Sequence, residues 1–364
     1  MVIVHVALAI IYGGGVGSVV KNLILEQTKM GHKTVLVSLD DENSVQSWFE
    51  ENKLNTQFYP VTQKLRKKYP TVFGLLSKKT RKEIQKTFLG EKIVFHFHNP
   101  IAYGLLNSNK KIRKICTMHG QINLKGVASL LFCATIKKFI KNNGTLVGCS
   151  EYIAEYYRKA FKCPSIVSVV NGTGIIEKQE NKYVKDNNKY HIAFVGCIDE
   201  LKGWRYLANG YANLCKEVKE KSDLYFVGKI AESDIDDFNK ILENEPNINY
   251  VGYVDDVQQS FLPYVDLLVL PSRTEGLPMV LLEAMMNGVV CLSTPVGGIP
   301  EIIYNGENGL FIKRDAVDIC EKIEQLLKND SEIKKYKKES KKKFEEKGTA
   351  ERMCKDYLIV YNAQ

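Results

Sequence analysis

The stretch Leu267-Leu-Val-Leu-Pro-Ser-Arg-Thr-Glu275-Gly-Leu-Pro278-Met-Val-Leu-Leu-Glu283-Ala carries a strand, a polar turn and the start of a helix. Four consecutive apolar residues closed by Pro271 read as a strand buried on both faces. Pro278 suits the first turn of a helix, where no backbone N–H is needed. The free N–H groups of that turn, with the helix dipole, make an anion site. It lies at the carboxyl end of a strand, the edge at which doubly wound sheets bind ligands. Glu275 precedes the helix and Glu283 lies within it. From Pro278 to Glu283 alone the rise is about 7.5 Å at 1.5 Å per residue, too far for the two carboxyls to share a proton. They are better placed to grip two parts of one elongated ligand, with its phosphates between them at the helix N-terminus.

On either side of this stretch, short apolar runs alternate with amphipathic ones. Val2–Ile11 reads as a buried strand, followed by a Gly-rich turn and a helix from about Val16 to Met30. Thr34–Ser38, Ile93–His98, Lys114–Met118, Thr145–Gly148 and Ile166–Val170 read as further strands, with a helix over Ser150–Lys159 capped by Ser150. A polar run from Ile176 to Lys189 reads as a linker. The alternation restarts with His191–Val195, Leu224–Val227, Asn249–Val251, Leu267–Leu270, Val289–Leu292 and Gly309–Ile312. Two successive βα series predict an α/β protein of two doubly wound, Rossmann-like domains facing each other across a cleft. The expected limits are 1–175 and 176–345, with a C-terminal helix over 346–364 that packs back on the first domain. Residues 331–347, rich in Lys and Glu, read as a solvated helix.

Composition agrees with this. The 364 residues are 45% hydrophobic and 26% charged, which excludes a disordered, collagenous or coiled-coil chain and suits two domains. The nine cysteines include no C-x-x-C pair and read as reduced thiols, neither a zinc site nor a disulfide framework. No apolar run has the length and flanks of a spanning helix or signal peptide, so the expected location is cytoplasmic. The net charge of +9 is unevenly shared. Residues 1–170 hold 25 Lys and Arg against 10 Asp and Glu, a net of +15; residues 171–364 hold 26 against 32, a net of −6. The surplus belongs to the first half. Lys64 to Lys86 alone carries nine basic residues against Glu83, with Val72, Phe73, Leu75 and Leu76 between its two clusters. This reads either as a solvated face or as a peripheral surface for anionic lipid, to which Leu130–Ile140, with Lys137, Lys138 and Lys141, would add an amphipathic helix.

With Glu275 and Glu283 in an E-x7-E spacing, the chain resembles the family-4 retaining glycosyltransferases of GT-B fold, of the type that builds bacterial surface polysaccharides. The resemblance runs through Gly13–Gly17, Thr117-Met-His119-Gly120, Val147–Ser150, Val170-Asn-Gly172, Phe194-Val-Gly196 to Lys202-Gly203, Val251–Val254, Pro295–Glu301 and Asn308–Phe311. It implies metal-independent transfer from a nucleotide-diphosphate sugar, UDP-sugar favoured, with no cofactor. The acceptor it implies is a saccharide or polyprenyl-diphosphate-linked glycan. Implied catalytic residues are His119, Lys202 and Glu275. Implied donor-binding residues are Gly15, Val16, Gly17, Gly196, Cys197, Lys202, Val254, Glu275, Gly276, Leu277, Pro278 and Glu283. In such enzymes the first Glu contacts the donor sugar and the second the ribose. One position departs: Cys197 stands where the family usually has an Arg paired with Lys202 over the diphosphate, and Arg205 and Arg273 are the nearby cations available to replace it.

Three other features compete with blander readings. Gly13–Gly17 fails G-x-G-x-x-G in both registers, so it is a tight turn or a phosphate-side loop, not a dinucleotide fingerprint. His119 follows a strand and is either a loop histidine or a group lining the acceptor side. His96 and His98 alternate on one strand and share a face. With His119 they would make a three-His metal site, but no carboxylate or Cys spacing supports it, and no metal is expected. Other GT-B chemistry, a nucleotide-sugar 2-epimerase or a phosphorylase, is the alternative enzyme reading. A non-catalytic nucleotide-sugar or polyanion binder is the other alternative. No nucleic-acid motif is present, and none is expected as a partner.

Overall fold

The computed structural model describes residues 1–11, 14–61, 78–98, 112–122, 126–185 and 188–363. The expected alternation of strands and helices folds into two units. The first comprises Met1–Gly174 with Ala350–Gln364, the second Ile175–Thr349.

Unit 1 is built on a seven-stranded parallel sheet: β1 (Val2–Val6), β2 (Lys33–Ser38), β3 (Gln57–Pro60), β4 (Ile93–Phe97), β5 (Arg113–Met118), β6 (Gly144–Gly148) and β7 (Val167–Ser168). Their order is β3-β2-β1-β4-β5-β6-β7. Unit 2 carries a six-stranded parallel sheet: β8 (Tyr190–Val195), β9 (Ser222–Val227), β10 (Ile248–Gly252), β11 (Leu267–Leu270), β12 (Val290–Ser293) and β13 (Gly309–Phe311). Its order is β10-β9-β8-β11-β12-β13. In each sheet the order reverses beside the first strand, which places a ligand-binding edge at the carboxyl ends of the central strands. The residues of β1 and β11 are all buried, as expected for strands covered by helices on both faces.

Three expectations change on contact with the structure. The Val2–Ile11 run leaves the sheet after Val6, because the Ile10 and Ile11 N–H groups donate to the Asp40 carboxylate and turn the chain. The helix expected from Val16 begins at Gly14, so Gly15, Val16 and Gly17 sit in its first turn and do not form a separate loop; Gly13 lies outside the described residues. The Asp330–Lys347 helix is not wholly solvated. It buries Ile333, Tyr336, Ser340 and Phe344 in unit 2, a stripe hidden in the sequence by the Lys and Glu around it. β3 was not anticipated: it is an edge strand with half-exposed residues and no alternating pattern.

The Ala350–Asn362 helix returns to unit 1. The Ala350 N–H donates to the Thr173 carbonyl, and the Arg352 guanidinium donates to the carbonyls of Val170 and Asn171. Met353, Cys354, Tyr357, Val360 and Tyr361 form its buried face. Unit 2 closes over Trp204, Phe226 and Phe238, which meet edge to face, and the Trp204 indole N–H donates to Asp234 at 2.8 Å.

Candidate functional site

In unit 2 the loop Pro271–Pro278 joins β11 to the helix Met279–Met286. Pro278 occupies the N-cap position and no side chain caps the helix, so the Met279 and Val280 amides of its first turn are available to an anion, while the Leu281 N–H donates to the Pro278 carbonyl. Glu275 is fixed just before it. One carboxylate oxygen accepts from the Lys202 ammonium at 2.6 Å and from the Ser272 hydroxyl at 2.7 Å. Lys202 is held by its own backbone N–H, which donates to Asp199 at 2.8 Å. The β8 loop and the β11 loop are therefore tied together by an ion pair whose members are 29% and 9% exposed. The Pro295–Glu301 segment packs on the same loop. Gly297 has φ +61°, and a Cβ there would lie 1.9 Å from the Glu275 carbonyl oxygen, so only glycine fits.

Glu283 is the opposite kind of carboxyl. It is 7% exposed on a helix whose neighbours Leu281, Leu282, Ala284 and Met285 are buried. Burial pushes its pKa up to about 7. Its carboxyl has no hydrogen-bond partner among the described residues. A protonation balance near neutrality and an unsatisfied buried carboxyl are what a site for ligand hydroxyls would have before the ligand arrives.

The cations proposed to replace the missing Arg divide. Arg205 stacks on Trp204 with its guanidinium 4.6 Å from the ring centroid and is ion-paired with Asp234 and Asp237, so it is not available for a phosphate. Arg273 is exposed, its backbone N–H donating to Leu201 O at 2.7 Å. Cys197 is exposed; partial burial, then the hydrogen bond to Asp199, push its thiol pKa up, away from a thiolate. Sequence reasoning overlooked Lys229, which continues β9 beside the extension of β8: the Ile198 N–H donates to its carbonyl at 2.8 Å. The Lys229 ammonium lies 5.2 Å from the ring of Tyr253, next to Val254. A cavity of about 400 Å³ opens at the same sheet edge between Ser272, Thr294, Val296, Phe311 and Arg314. None of the expected donor-binding residues lines it, so it adjoins the site and is distinct from it.

In unit 1, Gly17 packs so closely that a Cβ would meet the Ile10 carbonyl oxygen at 2.6 Å. His119 ends β5. Its Nε2 is buried without a partner, and burial lowers its pKa to about 4. Beneath it lie His96 and His98, joined by His5, which sequence reasoning did not single out although a histidine inside the apolar run Val2–Val6 signals a partner. One nitrogen from each of His5, His96 and His98 falls within 4.8 Å of the others, a spacing open to a metal. Most of the ring nitrogens are engaged elsewhere, although His98 Nδ1 has no partner among the described residues. His5 is bonded to His98 and Gln27, and His96 to Tyr361 and Thr117, at 2.7–2.9 Å. An ion held here would have to break these hydrogen bonds, and no carboxylate in the cluster, among the described residues, would offset its charge. Gln27, Tyr357 and Tyr361 were also overlooked; only the i, i+4 spacing of the tyrosines marks them as sharing a helix face.

Residues 175–343 match the family model Glycosyl transferases group 1, and residues 13–175 match Glycosyltransferase Family 4. Between them these models span most of the chain, which belongs to the family-4 type of glycosyltransferases and is an enzyme that transfers sugars. Among curated relatives, an uncharacterized glycosyltransferase of Haemophilus influenzae is 26% identical over 71% of this chain and 72% of its own. The capsular polysaccharide biosynthesis glycosyltransferase CapM of Staphylococcus aureus is 28% identical over 51% of this chain and 49% of its own. Among solved structures, HepE of Anabaena in complex with UDP superposes with a TM-score of 0.76 at 12% identity, covering 99% of both chains. TarM superposes with a TM-score of 0.77 at 12% identity, again over 99% of both. The fold is GT-B.

Proposed function

We propose that this enzyme transfers a sugar, with retention of anomeric configuration, from a UDP-sugar to a saccharide or polyprenyl-diphosphate-linked glycan in surface-polysaccharide synthesis. The single observation that carries the donor reading is the arrangement around the Met279–Met286 helix. An uncapped N-terminus lies between a carboxylate held by Lys202 and a buried carboxyl with no partner. HepE, bound to UDP, and CapM, a capsule glycosyltransferase, support the choice of nucleotide and pathway.

In this reading the Glu283 carboxylate accepts from the ribose hydroxyls. Glu275 orients the transferred sugar, and the ammonium of Lys202 faces the diphosphate. Negative charge grows on that diphosphate as the glycosidic bond breaks. Lys202 and the amides that follow Glu275, already in place, stabilise it most at that moment. Gly196, Cys197, Val254, Gly276 and Leu277 border the same donor, and Gly15, Val16 and Gly17 are the donor-binding residues that the family resemblance assigns to unit 1. His119 lines the sugar side. No metal is required, since the protein supplies the countercharge.

Thermal-shift titration with UDP-, GDP- and ADP-sugars tests the donor, because a ligand that binds only the folded chain raises its stability by mass action. No stabilisation by any of them removes the reading.

The acceptor reading includes an anionic membrane surface. On the Gly126–Lys141 helix, Leu130 and Leu131 are 72% and 55% exposed and share the outer face with Lys137, Lys138 and Lys141, opposite buried Ile136 and Phe139. Of the Lys64–Lys86 basic stretch, residues 62–77 lie outside the described residues, while Lys79, Arg81, Lys82 and Lys86 lie on the Lys78–Thr87 helix. Among the described residues, no helix is long and apolar enough to cross a membrane. Failure to sediment with vesicles containing anionic lipid at low salt excludes this surface.

A further inference from the structure

The hydrogen bonds beneath His119 run in one direction. The Gln27 amide N–H donates to the Tyr361 hydroxyl at 3.2 Å, so Gln27 Oε1 is the acceptor for His5 Nε2–H at 2.7 Å. A neutral imidazole carries one N–H. His5 Nδ1 is therefore an acceptor, and its partner at 2.9 Å, His98 Nε2, is the donor. His98 has then used its only proton, and its Nδ1 is a bare lone pair. That atom is buried and has no partner among the described residues; the whole residue is 3% exposed. Its ring stacks on that of His119, with centroids 5.7 Å apart and planes inclined by 25°, and the His119 Nε2 is likewise buried and unpartnered. His96 supplies neither: both its nitrogens are engaged, by Tyr361 and Thr117. Burial keeps all four rings neutral, which the one-proton bookkeeping requires.

An unpaired buried acceptor next to a second unpaired ring nitrogen calls for a ligand that brings a proton and no charge. An ionised phosphate or carboxylate has no proton to donate, and a buried ammonium would need a carboxylate that the cluster lacks. A sugar hydroxyl meets both conditions. We infer that His98 is a sugar-binding residue whose Nδ1 is a preset acceptor for a substrate hydroxyl, with His5 and Gln27 as positioning residues that hold it in that tautomer. The inference rests on the reading of His119 as a sugar-side residue.

Two substitutions separate the atoms of the ring. His98→Gln keeps an amide N–H to donate to His5 but removes the acceptor at Nδ1. His98→Asn places its side-chain oxygen near Nδ1 and drops the link to His5. With melting curves to show that both fold, the Gln variant is expected to lose about ten-fold in kcat/KM, the scale of one neutral hydrogen bond, and the Asn variant to recover most of it. A Gln variant as active as wild type, or an Asn variant no better than Gln, overturns the inference. A loss shared by donor hydrolysis without acceptor assigns the hydroxyl to the transferred sugar; a loss confined to transfer assigns it to the acceptor. The wild-type chain offers a test that needs no variant to fold. Nitrogen-15 spectra of ring-labelled histidine should show His98 protonated at Nε2, and a protonated Nδ1 overturns the assignment whatever the kinetics. If wild type transfers no sugar from any nucleotide donor, the functional reading fails, while the ring spectrum still decides the tautomer.

Discussion

The histidine cluster of unit 1 and the Glu283 helix of unit 2 respond to burial in opposite ways. Burial lowers the pKa of His5 and His119 to about 4 and raises that of Glu283 to about 7. The direction differs because one loses a proton to become neutral and the other gains one; in both the charged form is the one that burial penalises. Glu275 is differently placed: it forms a partly exposed ion pair with Lys202, whereas the helix neighbours of Glu283, Leu281, Leu282, Ala284 and Met285, are buried and apolar. Thus the net charges of the two halves say little about their interiors. The basic half hides four neutral histidines, and the acidic half keeps one carboxyl close to neutrality.

The largest effect expected from this contrast is on acid stability. A histidine whose pKa falls from 6.5 unfolded to about 4 folded contributes stability that is complete above pH 6.5 and is lost as pH drops towards 4. For His5 and His119 that is about 3 kcal/mol each, roughly 6 kcal/mol together, at 1.36 kcal/mol per pKa unit. Urea unfolding of the wild type between pH 7 and 4 measures it, and a flat profile would show that the cluster is open to water.

Next in size is the ion pair. Glu275→Gln removes the charge opposite Lys202 and the acceptor best placed for the sugar. The expected loss is about 10³-fold in kcat, or ~4 kcal/mol in the barrier, with folding retained. Steady-state assays with the donor identified by thermal shift provide the measurement.

Glu283→Gln is expected to separate stability from function. The folded carboxyl has the higher pKa, so wild-type stability is fully present below about pH 4.5 and is lost as pH rises through 7. The Gln variant escapes that loss and should be more stable by about 3 kcal/mol at pH 8, with little difference at pH 4. It should bind the nucleotide more weakly above pH 7, where the wild-type carboxyl is ionised. In the wild type, nucleotide affinity should rise through pH 7, because the ribose hydroxyls donate to the ionised form. Equal stability at pH 8 would mean that Glu283 has a partner in solution.

The smallest effect is expected at the departure from the family pattern. Cys197→Arg adds a cation beside Lys202 and should tighten nucleotide diphosphate binding by a few-fold, about 1 kcal/mol, without changing the affinity for the nucleoside. Equal effects on both would place the new guanidinium on the base or ribose instead of the phosphates. Calorimetric titrations with UDP and uridine distinguish the two.

Much of the fold was legible because its signals are local. Buried parallel strands are continuous apolar runs, and Leu267–Leu270 and His191–Val195 stand out without any knowledge of their neighbours. Where a neighbour decides, reading failed. The Val2–Ile11 run leaves the sheet because the Asp40 carboxylate, about thirty positions along the chain, takes the amides of Ile10 and Ile11. The Asp330–Lys347 helix looks solvated until its sparse apolar stripe meets a surface to cover. The pairing of Glu275 with Lys202 and the engagement of Arg205 by Asp234 were equally invisible, since in a sheet-based unit the partners come from different βα loops.

The linear order of residues was enough to determine the two βα series, the uncapped helix after Pro278, the E-x7-E spacing and the uneven charge, because each depends on residues a few positions apart. Only the tertiary structure decided which of these groups are charged. A pKa and a tautomer depend on what surrounds an atom within a few ångströms, and for His98 that includes a proton placement traced through His5 and Gln27 to Tyr361, near the other end of the chain.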